Sequence, residues 1–517
     1  MNWWLWTLAA VGALLIVTTV YDVVQKRHAV LRNFPIIGHL RYLLESFGPE
    51  LRQYIVSDND EERPFNRNQR RWVYATAKRE NPYFGFGSDN RVDADGYVFF
   101  RHSAFPVSCD TPEGELRAAK VLGAWRDRPG AFRPSSVVNI SGMSYGSLSG
   151  PAVEALNRGS AMAGCLQNTG EGGISDHHRH GGELVFQLGT GYFGARRADG
   201  RFCMDTFLAS LDTAPVRAVE LKLSQGAKPG LGGVLPAAKV SPEIAAARGV
   251  PVGVTVRSPN HHPEFDDVAG LVDFVERIAD ASGLPVGIKS AVGDRRFWVE
   301  LADRMSDTGR GPDFVTVDGG EGGTGAGPLT FTDHVSLPFR VGFAEVYQAF
   351  AETDLNEAVT FVGSGKLGFG PDAMVAIALG VDLISVGREA MMAVGCIQAQ
   401  RCHSGRCPTG VATQSKWLTR GLDPTSKAVR VANYVAGLRQ ELRMLAEAMG
   451  EEHPSLVDPA AVEMRIRRGE LLPILDAIGY SEAAKEARIA LGEVSREARL
   501  FADSTAASPA QAPRFLG

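Results

Sequence analysis

Three cysteines lie close together in one short segment and carry the most distinctive chemistry in the chain. Cys396, Cys402 and Cys407 fall within the run GCIQAQRCHSGRCPTG, and they make up half of the six cysteines in 517 residues. Clustered thiolates are soft ligands that favour iron–sulfur clusters, zinc or copper(I). A four-ligand site needs one more donor, so either His403 is the fourth ligand or the site holds a cluster that lacks one iron. A disulfide with one spare thiol is the alternative.

A second set of residues has the chemistry of an anion-binding site. Glu171 stands among glycines in NTGEGG, which favours direct contact with a ligand over packing. Lys228 stands in QGAKPG, outside any charge-rich helix. With Arg248, whose guanidinium can bind a carboxylate through two parallel hydrogen bonds, it suits a dicarboxylate or 2-oxo acid substrate. A surface charge late in a helix is the alternative reading of Arg248.

Composition limits the classes of function. A net charge of -5 gives no polycationic surface, so nucleic-acid binding has no support. Hydrophobic residues at 44% and charged residues at 22% are ordinary for a globular protein with a large core. The few cysteines, clustered in one place, favour a reducing compartment. The 58 glycines are concentrated between residues 141 and 411, which indicates close approach of the backbone to a phosphorylated ligand.

Short apolar runs alternate with helix-length segments over the middle of the chain. This alternation predicts parallel strands joined by right-handed crossovers, and eight repeats predict a closed (β/α)8 TIM barrel. A doubly wound open sheet is the alternative. The eight runs are VVNIS (137–141), AGCLQN (163–168), AVELKLS (218–224), VGVTVRS (252–258), PVGIKS (285–290), DFVTVD (313–318), VTFVGS (359–364) and DLISVG (382–387).

Polar and glycine residues follow these predicted strands, where a barrel enzyme places its catalytic groups. Glycines after the seventh and eighth strands stand where barrels commonly bind a phosphate on backbone N–H groups. Lys366 or Arg388 could supply the counter-charge for that phosphate. Ordinary turns between strand and helix are the alternative explanation of these glycines.

The N-terminus differs in kind from the rest of the chain. No charged residue occurs from Trp3 to Val20, and tryptophans at one end and Tyr21 at the other resemble the aromatic belts of a membrane-spanning helix. Lys26, Arg27 and further arginines follow, so the positive-inside bias predicts a single-pass protein of the cell membrane with a cytoplasmic body. A cleaved signal peptide and a buried hairpin are the alternatives.

These observations predict four regions. Residues 1–24 form a transmembrane anchor, and 25–109 form an irregular or partly helical lead-in. Residues 110–425 form the barrel with the cysteine segment. Residues 426–517 form a C-terminal helical extension, with a disordered tail from about residue 504.

Five motifs carry a resemblance to a known family over roughly residues 110 to 450. They are GMSYGSLS, NTGEGG, KLSQGAKPGLGG, GGTGAGPLT and GCIQAQRCHSGRCPTGVATQ. In order and spacing they resemble the synthase domain of glutamate synthase. The resemblance implies that ammonia condenses with 2-oxoglutarate and that reduced FMN delivers hydride to the imine, which gives L-glutamate.

The resemblance also implies roles for individual residues. Cys396, Cys402 and Cys407 would hold a 3Fe-4S cluster, which explains a triad without a fourth thiolate. Glu171, Lys228 and Arg248 would bind the substrate, with Glu171 and Lys228 catalytic. Lys289 near the flavin would stabilise its anionic reduced form. The residues that would contact FMN are Gly142, Met143, Ser144, Gln225, Lys289, Gly322, Gly323, Gly365, Gly387 and Arg388.

The chain departs from the family pattern at several points. Val234 stands where the family has a glutamine that contacts 2-oxoglutarate, and Leu231 replaces an acidic residue. We find no glutamine-hydrolysing domain and no GxGxxG in a nucleotide-binding context, so we expect free or partner-delivered ammonia and a separate ferredoxin-like or flavoprotein electron donor. Two alternatives remain: another amine or 2-oxo acid as substrate, as in N-methylglutamate synthesis, or a non-catalytic electron-relay protein.

Overall fold

The computed structural model describes residues 3–54, 62–108 and 114–490 of the chain. The predicted disordered tail and the predicted start of the barrel domain at residue 110 lie outside these ranges. The strands are β1 (Val98–Phe100), β2 (Val138–Ile140), β3 (Gln167–Asn168), β4 (Leu184–Leu188), β5 (Val216–Lys222), β6 (Val234–Leu235), β7 (Val256–Arg257), β8 (Val286–Ser290), β9 (Phe314–Asp318), β10 (Thr360–Ser364), β11 (Leu383–Val386), β12 (Val462–Arg465) and β13 (Leu471–Pro473).

Eight of these strands close into a parallel barrel, which confirms the predicted TIM barrel. The order around the barrel is β10-β11-β2-β3-β4-β5-β8-β9, and β9 pairs back to β10. The last strand in the chain, β11, lies beside the first, β2, with Ile384 opposite Val138. The strands are short, rich in Val, Ile, Leu and Phe, and almost wholly buried, as parallel strands covered on both faces are.

One predicted barrel strand is wrong, and one barrel strand was not predicted. The run at 252–258 contributes only β7, which pairs antiparallel with β6 in an excursion beyond the barrel. Its Val252 and Val254 are exposed, so its alternation of apolar residues does not line the barrel. The missing strand is β4, which follows β3 after a stretch that contains only a short 3-10 turn, Asp176–His178, and no α-helix. The run at 163–168 also begins too early, because helix occupies Ala163.

Helices surround the barrel and extend it at both ends of the chain. Many begin at a side chain that caps the first turn, as Ser149, Asp267 and Asp423 do. The helices are α1 (Trp3–Val24), α2 (Ala29–Asn33), α3 (Ile37–Tyr54), α4 (Arg67–Lys78), α5 (Gly150–Ala163), α6 (Met204–Leu211), α7 (Pro242–Arg248), α8 (Val268–Ser282), α9 (Arg295–Thr308), α10 (Leu329–His334), α11 (Phe339–Ala351), α12 (Gly370–Leu379), α13 (Arg388–Val394), α14 (Lys416–Thr419), α15 (Pro424–Met449), α16 (Ile474–Ile478) and α17 (Glu482–Ala490).

The C-terminal helices pack against the barrel. The 26-residue helix α15 lies against α5, α4 and α13, so it joins the lead-in region to the barrel. The strands β12 and β13 form a small antiparallel sheet with β1 from the lead-in. The lead-in is therefore connected to the C-terminal region by both a helix and a sheet.

A buried ion network ties the amino-terminal side of the barrel together. Arg128 donates to both carboxylate oxygens of Glu276 on α8, at 2.8 and 2.9 Å. Its Nε also donates to Asp313, the residue before β9, at 3.1 and 3.2 Å from the two oxygens. Glu276 accepts a further bond from the backbone N–H of Gly311. This network lies at the opposite end of the strands from the residues described next.

Candidate functional site

A lysine and a glutamate form an ion pair at the carboxyl ends of the barrel strands. Lys222 ends β5, and its Nζ lies 2.9 Å from Oε2 of Glu171, in the loop after β3. The same ammonium donates to Oε1 of Gln225 at 2.5 Å. A Cβ at Gly189, just beyond β4, would lie 2.3 Å from Oε1 of Glu171, so only glycine fits there. Three neighbouring strand ends therefore combine to position one carboxylate.

Glu171 is held ionised by its cationic surroundings. Burial raises the pKa of the carboxyl, but Lys222, Lys228 and Arg248 together outweigh burial and hold that pKa below its usual range. Lys228 itself has a lowered pKa, because burial and the nearby charge of Lys222 outweigh the attraction of Glu171. The structure thus brings the predicted Glu171, Lys228 and Arg248 into one electrostatic cluster, to which it adds Lys222.

Arg248 is buried at the end of α7, which excludes the surface-charge reading. Its guanidinium lies 4.9 Å from the centre of the Phe193 ring and donates from Nη2 to the carbonyl of Tyr145 at 3.1 Å. Burial lowers its pKa to about 10, although Glu171 opposes the shift. Its buried Nε has no hydrogen-bond partner within the described ranges. The side chain therefore keeps donor capacity that an anion can use.

A polar network fills the barrel interior below this cluster. Glu220 of β5 accepts from Asn168 at 2.8 Å and from Gln187 at 2.6 Å, both on Oε1. Its Oε2 accepts from the hydroxyl of Thr316 at 2.6 Å. A Cβ at Gly142 would lie 2.7 Å from Nε2 of Gln187, so the loop after β2 depends on glycine to lie over this network.

The loops after β2 and β3 are in direct backbone contact. A Cβ at Gly170 would lie 2.5 Å from the backbone nitrogen of Ser144, and one at Gly172 would lie 2.9 Å from the carbonyl oxygen of Tyr145. Met143 and Ser144 are half-buried in this contact. The segment Gly142–Ser144 is therefore fixed next to the loop that carries Glu171.

Lys289 lies inside the barrel near its mouth. It stands opposite Lys222 on β5 and Thr316 on β9, and its Nζ is 3.7 Å from Oδ2 of Asp318. Burial raises the pKa of Asp318, but Lys289 and the N–H of Gly226, which donates at 2.9 Å, outweigh burial and lower it. Lys289 and the backbone N–H of Gly226, the residue after Gln225, thus both contact the carboxylate of Asp318.

Glycine-rich loops from three strands meet beside Asp318. Gly365 has a φ of 118°, and a Cβ there would lie 2.9 Å from the backbone nitrogen of Gly319. A Cβ at Gly323 would lie 2.4 Å from Cδ of Arg388, and the guanidinium of Arg388 donates to the carbonyl of Glu321. The predicted Gly322, Gly323, Gly365 and Arg388 therefore converge beside Asp318, where Gly323 is exposed and Gly365 is buried, and Gly387 directly precedes Arg388.

Lys366 and Arg388 both lie over one aromatic ring. The ring of Phe65, from the lead-in, has Nζ of Lys366 at 5.5 Å and the guanidinium carbon of Arg388 at 4.8 Å from its centre. Burial lowers the pKa of each cation. The lead-in therefore forms part of the wall of this site.

The three cysteines follow α13 in a loop that the lead-in covers. Tyr74 donates to the carbonyl of Cys396 at 2.8 Å. Burial raises the pKa of Cys396 to about 12 and also raises the pKa of Cys402, and in both cases the neighbouring thiols add to the shift. All three cysteines are free. Within the residues described, no three His, Cys, Asp or Glu side chains are close enough together to hold a metal ion.

Several residues of the site were missed from the sequence. Lys222 is the first residue of the motif KLSQGAKPGLGG, but its role could not be assigned, because an ion pair between the loop after β3 and the end of β5 depends on barrel closure. Glu220 and Gln187 stand in apolar runs and have no motif around them. His262, which binds the carbonyl of Lys222 through Nε2 at 3.0 Å and the hydroxyl of Tyr192 through Nδ1 at 2.9 Å, comes from a loop without any distinctive pattern.

The chain is similar to known proteins over most of its length. The family model described as a conserved region in glutamate synthase matches residues 129–452. A glutamate synthase large subunit-like protein, YerD, from Bacillus subtilis is 37% identical over 492 residues, which cover 88% of this chain and 93% of that protein. An archaeal glutamate synthase (NADPH) from Methanocaldococcus jannaschii is 34% identical, over 60% of this chain and 59% of that enzyme.

Two solved structures match the chain at low identity and low TM-score. A mandelate oxidase with (S)-4-hydroxymandelic acid is 14% identical, with a TM-score of 0.44 over 77% of this chain and 91% of that one. A flavocytochrome b2 variant with sulfite bound is 13% identical, with a TM-score of 0.43 over 84% of this chain and 89% of that one. Similarity at this level does not bear on activity.

Proposed function

The chain belongs to the glutamate synthase family, and from that premise we propose that it catalyses the reductive amination of 2-oxoglutarate to L-glutamate. Membership of the family makes it a glutamate synthase-type oxidoreductase. The observation that carries the specific reaction is the cluster of Glu171 with Lys222, Lys228 and Arg248 at the strand ends.

Two cations in the cluster suit a dicarboxylate. The guanidinium of Arg248 has unused donor capacity and a fixed orientation over Phe193, so it can bind one carboxylate in a defined geometry. Lys228, whose pKa is lowered, can bind the second carboxylate or donate a proton near the 2-oxo group. The two residues then orient the substrate so that its 2-carbon faces the interior of the barrel.

Glu171 suits the amine. Its carboxylate is ionised and still 27% exposed, so it can accept hydrogen bonds from ammonium or from the iminium nitrogen that forms on condensation. Lys222 donates to this carboxylate, and Gln225 accepts a second hydrogen bond from the same ammonium, so the ion pair has a fixed orientation. A positioned carboxylate of this kind can also accept a proton from ammonium as the amine attacks.

FMN fits the residues around Lys289 and Arg388. Glycines bring the backbones of the loops after β9 and β10 close together, and Arg388 would supply the counter-charge for a phosphate bound beside them. The segment Gly142–Ser144, Gln225 and Lys289 surround the space where the isoalloxazine ring would lie. FMN bound there supplies the hydride for the reduction. The ammonium of Lys289 would favour negative charge on the ring.

The cysteine triad suits an iron–sulfur cluster as the electron inlet. Cys396, Cys402 and Cys407 are free, and the thiols of Cys402 and Cys407 raise the pKa of Cys396. Their side chains do not converge as a metal-binding group within the described residues, so a cluster would have to draw this loop together. Cys165 is buried elsewhere in the core, and Cys203 precedes α6. Three thiols without a fourth fit a 3Fe-4S cluster. Electrons would come from a separate donor protein, and ammonia would be free or delivered by a partner.

The N-terminal helix suits an uncleaved membrane anchor. The 22-residue helix α1 is apolar, and almost none of it is buried against the rest of the protein. A bilayer would cover this surface, with the basic residues that follow α1 on the cytoplasmic side. We therefore propose a single-pass protein of the cell membrane with its catalytic domain in the cytoplasm.

One observation favours a second candidate substrate. Val234 is 54% exposed and is followed by Leu235. Leu235 lies close to the anion site, because a Cβ built at Gly146 would be 3.5 Å from Cδ2 of Leu235 and 3.3 Å from Nη2 of Arg248. An apolar side chain thus stands near the anion site where the family has a polar one. This favours a less polar amine or 2-oxo acid, such as methylamine in place of ammonia.

Purified protein tests both candidates. The protein should contain flavin, seen by its visible absorbance, and iron; a sample without them would exclude both enzymatic readings and favour a structural role. After reduction with dithionite, 2-oxoglutarate with ammonia should reoxidise the flavin and yield glutamate. Reoxidation only with methylamine would support the second candidate, and reoxidation with neither would support electron relay alone.

A matched pair of variants tests the anion site. We expect Lys228→Ala to abolish reoxidation by 2-oxoglutarate and ammonia while it retains flavin and iron. Lys78→Ala, which removes a lysine paired with Glu80 far along the chain from the site motifs, serves as the control and should behave as the unmodified protein. Normal reoxidation by Lys228→Ala would contradict the assigned role.

A further inference from the structure

Helix α3 has its apolar side chains on the outside. Ile37, Leu40 and Leu44 follow a spacing of three and four residues, so they share one face, and they are 76%, 56% and 57% exposed. The opposite face carries Gly38 and Tyr42, which pack against the protein. This is the reverse of a soluble surface helix, whose apolar face is the buried one.

The inner face of α3 is fixed to α2 by close contacts. A Cβ at Gly38 would lie 3.0 Å from Cδ2 of Leu31, so the two helices approach closely there. The ring of Tyr42 lies edge-on to that of His28, with centroids 5.0 Å apart. The rotation of α3 about its axis is therefore set by packing, and its apolar face cannot turn inward.

A buried carboxylate joins the start of α3 to the end of α1. Asp22 is fully buried, and both of its oxygens lie 2.9 Å from Nε2 of His39. Its Oδ2 also accepts from the backbone N–H of Ile36 at 2.9 Å. The first turn of α3 therefore lies beside the carboxyl end of the apolar helix α1, at the level where a spanning helix leaves the bilayer.

The surrounding charges match an anionic surface. Two acids of the region have partners among the described side chains, because Asp22 is hydrogen-bonded to His39 and Glu45 pairs with Arg41 at 2.5 Å. Lys26, Arg27 and Arg32 follow α1 directly. A basic, apolar surface next to a spanning helix is typical of segments that lie in the headgroup region.

We propose that α3 lies in the lipid–water interface, with Ile37, Leu40 and Leu44 inserted into the acyl boundary of an anionic membrane. The proposal rests on the membrane span proposed above for α1. It makes α1 and α3 a two-part attachment, one helix across the bilayer and one along its surface. Lipid would cover the apolar face of α3, because this face begins beside the carboxyl end of α1, where a spanning helix reaches the headgroups.

The same region is bound to the barrel near the cysteines, so α3 would orient the whole body. Nδ2 of Asn33 donates to the carbonyls of Pro408 and Leu418, at 3.2 and 2.7 Å. Lys427 and Arg430 of α15 both donate to the carbonyl of Arg27, at 3.3 and 3.1 Å. The segment that contains Cys407 is therefore held on the membrane side of the molecule.

Photo-crosslinking of the full chain tests this placement. A diazirine analogue of leucine replaces, one at a time, Leu14 in α1, Leu40 and Leu44 in α3, and Met444 in α15. Met444 is exposed and, at a rise of about 1.5 Å per residue, lies about 25 Å along α15 from Lys427. Each protein is placed in vesicles of phosphatidylcholine and phosphatidylglycerol and irradiated, and adducts are identified by mass. Melting curves confirm that each variant remains folded.

The outcomes separate the proposal from the span on which it rests. We expect lipid adducts from positions 14, 40 and 44, in yields several-fold above those from position 444. Adducts from position 14 but not from 40 and 44 would leave the span standing and overturn the placement of α3. No adducts from position 14 would overturn the span itself. Protein–protein crosslinks from position 40 would overturn the proposed contact with lipid and show instead that a second copy of the chain covers this face.

Discussion

At the scale of the residue, the ionised state of Glu171 depends on three cations. Burial alone would raise the pKa of this carboxyl, and Lys222 is the cation that most strongly opposes burial. Its ammonium is also the one in direct contact, at 2.9 Å. Lys222 therefore controls the protonation of the group that we assign to the amine.

Replacement of Lys222 should change the pH profile of the enzyme. In Lys222→Met, burial is opposed only by Lys228 and Arg248, so the pKa of Glu171 rises and the group becomes protonated at higher pH. The acid limb of kcat/KM should therefore move to higher pH. Steady-state rates across the pH range check this against Lys78→Met. An acid limb that stays in place would mean that Glu171 does not limit activity.

Close backbone contact makes Gly226 irreplaceable. A Cβ there would lie 1.9 Å from the carbonyl oxygen of Gly319, and backbone cannot rotate away as a side chain can. Gly226→Ala should lose about 1–3 kcal/mol of unfolding free energy and retain less flavin. Gly325→Ala, where a Cβ would meet nothing within 4 Å, is the control. Equal melting temperatures and flavin contents in the two variants would contradict the contact.

Site residues could be predicted from the sequence where they stand in recognisable motifs. They could not be predicted where their role depends on a partner that is distant in the chain. Glu171, Lys228 and Arg248 were identified because glycine-rich motifs or family resemblance mark them. Lys222 and Glu220 were not, because their partners lie on other strands that come together only when the barrel closes.

At the scale of the element, one buried arginine joins three parts of the barrel. Arg128 bonds Glu276 on α8 and Asp313 before β9, and it precedes β2 in the chain. Arg128→Met would leave Glu276 without its cation and Asp313 with only the more distant Arg126, at 3.7 Å, so it should cost about 3–5 kcal/mol of unfolding free energy. Denaturant unfolding measures the loss.

A surface pair provides the comparison for this variant. Arg295 and Glu352 form an ion pair in which both side chains are more than 40% exposed. Arg295→Met should therefore cost less than about 1 kcal/mol. A similar loss in the two variants would show that burial does not distinguish these networks.

The strand pattern was predictable for seven of the eight barrel strands, and the exception has a physical reason. β4 follows β3 without an α-helix between them, so the strand–helix alternation fails at that point. The run at 252–258 alternates valines with other residues, so its pattern predicts a barrel strand although β4 occupies that place in the barrel. Periodicity identifies an extended segment, but it does not show which sheet the segment joins.

At the scale of the whole molecule, the proposed attachment to a membrane depends on α1. A helix of 22 residues that spans the bilayer should resist extraction by alkaline carbonate, whereas a peripheral protein is released. We expect the full chain in the membrane pellet, with an intact N-terminus by mass. A soluble product shortened by about the length of α1 would show instead that this helix is a cleaved signal peptide.

Closure of the barrel has a consequence for synthesis of the protein. β2 needs β11 as its neighbour, with Val138 opposite Ile384, so one edge of the sheet stays unpaired until the ribosome has made nearly 250 further residues. Helix α1 leaves the ribosome first, and insertion into lipid would hold each nascent chain apart from others during that interval. An open parallel edge readily pairs with another chain. The anchor would then protect the unfinished barrel from aggregation before it serves the finished enzyme.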